Sequence, residues 1–286
     1  MVSVASDSVV LADQIELLVC AFPDENFNRR RIDEIADKHW GADTVQVSYA
    51  FDVLDSRFQV LGDKYPFRVT RSFIVKNGES SMYEALLSIT RPNFFYPSDD
   101  VGGADTTKSF ETLVEFCLSD FYGEDTRTVN FGWPSQIGRP KEFSPAIAWL
   151  AERIGIPVGN AYRQPRRKDG GVDVVVWRTF SDGRPGVPLM LVQATVQADI
   201  AAKARDVDRR LWSGWLATDV EPLVALAVPG SLNNTEVWNE ISRNSLLLDR
   251  IRLTSMAPRI DDTVADEVNS IIHATHIAVR DFIEWG

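Results

Sequence analysis

Val174, Val175, Val176 and Trp177 form a β-branched and aromatic run, Ser181 to Pro188 supplies turn chemistry, and Leu189 to Val192 is a second apolar run. Two such runs on either side of a turn segment read as a β-hairpin. If its strands pair evenly about Gly183, position 173 faces position 193. That register puts Asp173 opposite Gln193 on one face, with Cβ atoms about 5 Å apart. A carboxylate and an amide oxygen so placed can share one hard cation, since Mg²⁺ takes oxygen ligands at roughly 2.1 Å and keeps several waters. A bulge in the long connection would turn Gln193 away. Gly170 and Gly171, just upstream, let the backbone approach a ligand or the other strand closely.

The order G-G-V-D, hairpin, V-Q-A-T, helix resembles the PD-(D/E)XK superfamily of restriction-endonuclease-like nucleases, in a variant with glutamine at the second acidic position. The similarity spans about residues 105 to 255. It implies an α/β fold with a mixed sheet flanked by helices, and a metal-dependent DNA endonuclease used in bacterial restriction or antiphage defence. Asp173 and Gln193 would then hold Mg²⁺, with Mn²⁺ as a substitute, assisted by a glutamate on the helix before the hairpin. Thr106 to Tyr122 supplies that helix, because Phe110, Leu113, Val114, Cys117 and Phe121 recur at helical spacing with Glu111 on the flank. The plainer reading of Glu111 is a solvated helix carboxylate.

One departure from the family pattern changes the chemistry. The final lysine belongs two residues after the second ligand, where Thr195 stands. A hydroxyl cannot replace an ammonium that orients water and offsets phosphate charge, so the cation must come from elsewhere or activity is lost. Lys203 is the leading replacement. It borders an apolar stripe of Ile200, Ala204, Val207, Leu211 and Trp215 on one expected helix, from which it can reach back toward Gln193. Its alternative role is a snorkelling lysine over apolar surface. Lys168 is the second choice, suited to contacting phosphate.

Composition bounds the rest. With 44% hydrophobic residues in 286, the chain has enough material for one large or two small domains. No window approaches 18 uncharged apolar residues, and Asp7, Asp13 and Glu16 interrupt the apolar start, so a cytoplasmic protein without membrane contact is expected. Cys20 and Cys117 fall on apolar helix faces and are expected as free thiols. His39, His273 and His276 are too few and too scattered for a zinc site with cysteine partners, and although His273 and His276 share a helix face at i, i+3 they have no nearby third ligand, so no zinc site is expected. G-x-S-x-G, P-loop and G-x-G-x-x-G motifs are absent.

The formal charge of −11 argues against a nucleic-acid partner until its distribution is read. Residues 1–130 carry −10 of it and residues 131–286 only −1. Arg139, Lys141, Arg163, Arg166, Arg167 and Lys168 lie before Asp173, and Arg178 and Arg184 lie in the hairpin. Such a cluster can neutralise DNA phosphates beside a metal site, or be a solvated basic loop.

Residues 1–104 read as a mainly helical regulatory or partner-binding domain, and 105–286 as the nuclease-like domain with a C-terminal helix. Gly102 and Gly103, within Pro97 to Asp105, mark the boundary. Helices are predicted over 9–22, 28–40, 43–61, 81–91, 144–154, 234–242 and 262–285. Strands are predicted over 67–76 and 222–228, and an edge strand over 246–253 with Arg250 and Arg252 pointing outward. The competing function is a catalytically degenerate nuclease-fold subunit that binds nucleic acid or assembles a defence complex. A third is a protein-binding adaptor. Homo-oligomers are compatible with any of these.

Overall fold

The computed structural model describes residues 4–90 and 104–285, apart from Gln136, Tyr162, Arg166, Pro185 and Ala198. The helices and strands in chain order are α1 (Val4–Ala21), β1 (Phe27–Asn28), α2 (Arg29–Ile35), α3 (Thr44–Leu61), β2 (Phe67–Val69), β3 (Phe73–Lys76) and α4 (Met82–Thr90). There follow α5 (Ala104–Cys117), β4 (Thr126–Asn130), α6 (Phe143–Ile154), β5 (Val174–Arg178), β6 (Leu189–Ala194), α7 (Ile200–Lys203) and α8 (Arg209–Trp215). The last are β7 (Leu223–Ala227), α9 (Thr235–Ser242), β8 (Leu246–Leu248), α10 (Arg250–Met256) and α11 (Ala265–Trp285). Most of the expected boundary at 97–105 lies outside the described residues.

The protein is mixed α/β, built on a five-stranded sheet of order β4-β5-β6-β7-β8. The first three strands form an antiparallel meander, and β7 and β8 continue parallel to β6. Period-2 alternation divides the side chains between two faces. Val174, Val176, Met190 and Val192 pack on α4, α5 and the C-terminal helices, while Val175, Trp177, Leu189 and Leu191 pack on α6 and α8. Both faces are therefore covered, and this is why the two strands read as continuous apolar runs.

A second, small antiparallel sheet of order β1-β3-β2 joins α1 and α3 in the N-terminal core. That core interlocks with the rest. Val279 of α11 is buried in it, and Met82, Ala85, Leu86 and Ile89 of α4 belong to the layer under the large sheet. Asp43 caps α3 through Val45 N and Gln46 N, and Gln46 returns a bond to Asp43 N, so a capping box fixes the start of that helix.

Four expectations about local structure are corrected. The strand expected over 67–76 is two strands, because Thr70 Oγ1 accepts from the amides of Ser72 and Phe73 and turns the chain. The single helix expected from Ile200 to Trp215 is broken after Lys203, and Asp208 restarts it by capping Arg210 N and Leu211 N. The edge strand stops at Leu248, where Asp249 caps α10 through Arg252 N. Arg250 consequently points inward and is fully buried. Strand β4, T-R-T-V-N, was not expected, since it carries a single aliphatic residue, Val129.

Candidate functional site

The hairpin pairs evenly: Val174 faces Val192 and Trp177 faces Leu189, so extending the register by one residue sets position 173 against 193. At that point β5 parts from its neighbour. Asp173 N donates to Val192 O at 2.9 Å, but the next ladder bond is replaced by the Asp173 side chain, whose Oδ2 accepts from Ala194 N at 2.8 Å. On the other side Phe131 N and Gly132 N both donate to Asp173 O, at 2.6 and 3.0 Å. The carboxylate is thus held at the mouth of the split between two strands.

Glu111 arrives from α5, its side chain buried, with Oε2 2.6 Å from Lys108 Nζ. Gly132 makes the approach possible, since a Cβ there would lie 2.7 Å from Glu111 Oε2 and 3.0 Å from Lys108 Nζ. The Glu111 charge acts on Asp173. Burial, then the Glu111 charge, push Asp173 up to about 8, against relief from the Ala194 amide and Lys108. Burial raises Glu111 as well, and the Lys108 ammonium works against it. A recess of about 420 Å³ lined by Lys108, Thr112, Asn130 and Pro134 opens beside this group.

Gln193 is buried, and its amide splits between two environments. Nε2 donates to Asp206 Oδ2 at 3.2 Å, while Oε1 is buried without a hydrogen-bond partner. Asp206 was not anticipated from the sequence. Its Oδ2 lies 3.0 Å from Arg167 Nη1 and 3.5 Å from Lys203 Nζ. Lys203 is therefore one side chain away from Gln193, paired with Asp206. Gly171, at φ 82°, lets the backbone pass so close that an added Cβ would sit 3.0 Å from Asp206 O.

The other sequence candidates scatter. Arg163, Arg167 and Lys168 are exposed on the loop before β5, and Lys168 Nζ lies 5.7 Å from the Trp133 ring centroid. Arg167 and Lys168 border a small recess of about 240 Å³ at the start of α6. Arg166 lies outside the described residues. Arg139 is buried, spent on the carbonyls of Pro140 and Lys168. Arg178 ends β5 five residues after Asp173, roughly 17 Å away along the strand, and bonds Tyr122 O and Asp125. Thr195 is buried with Oγ1 accepting from Gln197 N.

Lys108 is the functional candidate that sequence reasoning missed. K-x-x-E on a helix looks like an ordinary i,i+3 pair, and the available signal was Gly132 in F-G-W-P, a residue with no side chain facing the same carboxylate. A larger recess, about 940 Å³, lies elsewhere, between the 77–81 loop and the 257–260 segment.

The donor set suits a hard divalent cation. The Glu111 charge raises the proton affinity of the buried Asp173, and on the neighbouring strand the amide oxygen of Gln193 is buried and unpartnered. No family model, curated protein or solved structure matches the chain.

Proposed function

We propose that the chain is a metal-dependent nuclease with a restriction-endonuclease-like core, hydrolysing phosphodiester bonds in DNA. The observation that carries this reading is the meeting of Glu111 from α5 with Asp173 at the split end of the β5–β6 hairpin, beside a lysine. The order helix, three antiparallel strands with α6 inserted after the first, two short helices and a parallel strand supports it too. Asp173, Glu111 and Gln193 Oε1 would hold Mg²⁺ or Mn²⁺, which when bound polarises a phosphoryl oxygen and lowers the pKa of a water.

The protein's own groups do the remainder. The Ala194 amide fixes the Asp173 carboxylate, and Asp206 orients Gln193 through its Nε2, leaving Oε1 to face away from that bond. Lys108, at the recess, supplies positive charge against the phosphate as charge builds in the transition state. Arg163, Arg167 and Lys168 neutralise backbone phosphates on approach.

A second reading, a nuclease fold that binds without cutting, is favoured by one arrangement: Lys203 is engaged with Asp206 and Thr195 is buried, so the family's lysine position is vacant. Incubation with supercoiled plasmid, linear duplex and single strands under Mg²⁺ and Mn²⁺ separates the two. The nuclease nicks or cuts in a chelator-sensitive way, and Asp173→Asn abolishes it. Salt-sensitive binding without cleavage under either ion selects the second reading, and absence of both removes the two together.

A further inference from the structure

Away from the hairpin, three helices bring Cys20 (α1), Glu84 (α4) and His276 (α11) together, their ligand atoms all within 4.8 Å of one another. The histidines look too scattered in sequence for a site with cysteine partners, yet the fold brings His276, without His273, to a cysteine and a glutamate from helices far away along the chain. Cys20 is wholly buried, and burial with the nearby carboxylates pushes its thiol well above the usual range. Glu84 Oε1 takes Lys76 Nζ at 2.8 Å and stands 3.1 Å from His276 Nε2. Glu84 Oε2 is also buried, with no nitrogen or hydroxyl donating to it; the Cys20 thiol is the group that turns to the Glu84 carboxylate. A buried carboxylate oxygen without a nitrogen or hydroxyl donor is costly, and a fourth participant would relieve it.

We infer that Cys20, Glu84 and His276 form a binding site for a zinc-class divalent ion that fastens α11 to α1 and α4. One sulfur, one imidazole nitrogen and one carboxylate oxygen suit a borderline ion and not the all-oxygen preference of Mg²⁺. A tetrahedral zinc site needs ligand atoms about 3.5 Å apart, so closing the cluster takes shifts on the order of 1 Å. Charge balances in both states. Without metal the Lys76 ammonium offsets Glu84 beside a neutral thiol. With metal, the S–H bond breaks and its proton leaves to solvent, the His276 Nε2 proton donated to Glu84 is given up to solvent while Nδ1 takes one, freeing the Nε2 lone pair, and thiolate and carboxylate together offset the 2+ ion. Lys76 is then surplus, and being 10% exposed it can swing outward. No electron transfer is involved.

The test is titration of the full chain with Co²⁺ alone, followed by zinc competition. One equivalent should produce a thiolate-to-cobalt charge-transfer band that zinc bleaches, and any cobalt taken by the oxygen-ligand centre at the hairpin adds no charge-transfer intensity. Cys20→Ser should abolish the charge-transfer band, His276→Gln should weaken affinity at least about tenfold, and Lys76→Met should strengthen it. Asp173→Asn should leave the charge-transfer band and its zinc competition unchanged, which separates this site from the proposed nuclease centre. His276 is partly exposed, so His276→Gln serves as the variant that folds if Cys20→Ser does not, with melting temperature as control. Absence of a charge-transfer band in the wild type, or a band unchanged in folded His276→Gln, overturns the assignment.

Discussion

Asp173 carries a burden that can be measured without substrate. Folded, it titrates near 8; in an unfolded chain an aspartate titrates near 3.9. Between those pH values the folded state binds more protons, so its stability falls as pH rises from about 4 to about 8 and levels off above. Asp173→Asn keeps an acceptor for Ala194 N and removes the charge. In chelator at pH 8.5 it should melt above the wild type, by roughly 2–4 °C for each kcal/mol recovered, and the gap should close by pH 4. A wild type that melts as high as the variant at pH 8.5 would show that the carboxylate is not penalised. The neighbouring cations divide by location: Lys108→Met should slow single-turnover cleavage by about 10²-fold or more, while Lys203→Met, whose charge is spent on Asp206, should cost under about tenfold. The reverse ranking would return the catalytic role to Lys203. Asp173 and Gln193 were legible because a period-2 rule places strand residues without knowledge of the rest of the fold. Lys108 and Asp206 were not, because each acquires its role from a contact between distant segments.

At the scale of elements, the site depends on the chain after β4 passing so close to the Glu111 and Lys108 side chains of α5 that a methyl group is excluded at Gly132. Gly132→Ala should displace the ends of the Glu111 and Lys108 side chains, since the new Cβ would lie 2.7 Å from Oε2; cleavage should fall at least about tenfold with little loss of stability, because both side chains can swing aside. Gly183→Ala is the control. It sits at φ 63° with nothing within 4 Å, so it should cost stability on the order of 1–2 kcal/mol from backbone strain alone and leave activity intact. Equal loss of activity in both would mean that Gly132 matters for folding and not for the carboxylates. Elements with dense apolar runs, β5, β6 and β7, were readable from the chain, as were the helices with clear caps and stops such as α3 and α6. Those decided by a single polar side chain were not: Thr70 splits one strand into two, Asp208 restarts a helix, and Asp249 converts a supposed edge strand into α10.

Across the whole molecule, a buried ionic cluster ties the first helix to the last third of the chain. Arg57 pairs with Asp13 at 2.7 Å and with Glu16 at 2.7 Å, Arg250 pairs with the same Asp13, and the hydroxyls of Tyr65 and Tyr83 donate to Glu16. Two guanidinium and two carboxylate groups balance, all with side chains at most 6% exposed. Arg250→Met breaks that balance and should destabilise by about 3–5 kcal/mol, read by denaturant unfolding; adding Asp13→Asn should recover part of the loss. Additive losses in the double variant would show that the two groups do not share a network. None of this was legible beforehand, since charged residues are expected at the surface and only the closed fold reveals which are not. The same architecture sets a schedule for synthesis. Arg280 on α11 bonds Ala21 O, 259 residues earlier, and Val279 completes the core around α1. On a ribosome adding about 5–20 residues per second, the α1 layer waits about 13–50 s with an open apolar seam, so the nascent chain spends most of its translation as a client for whatever shields such surfaces.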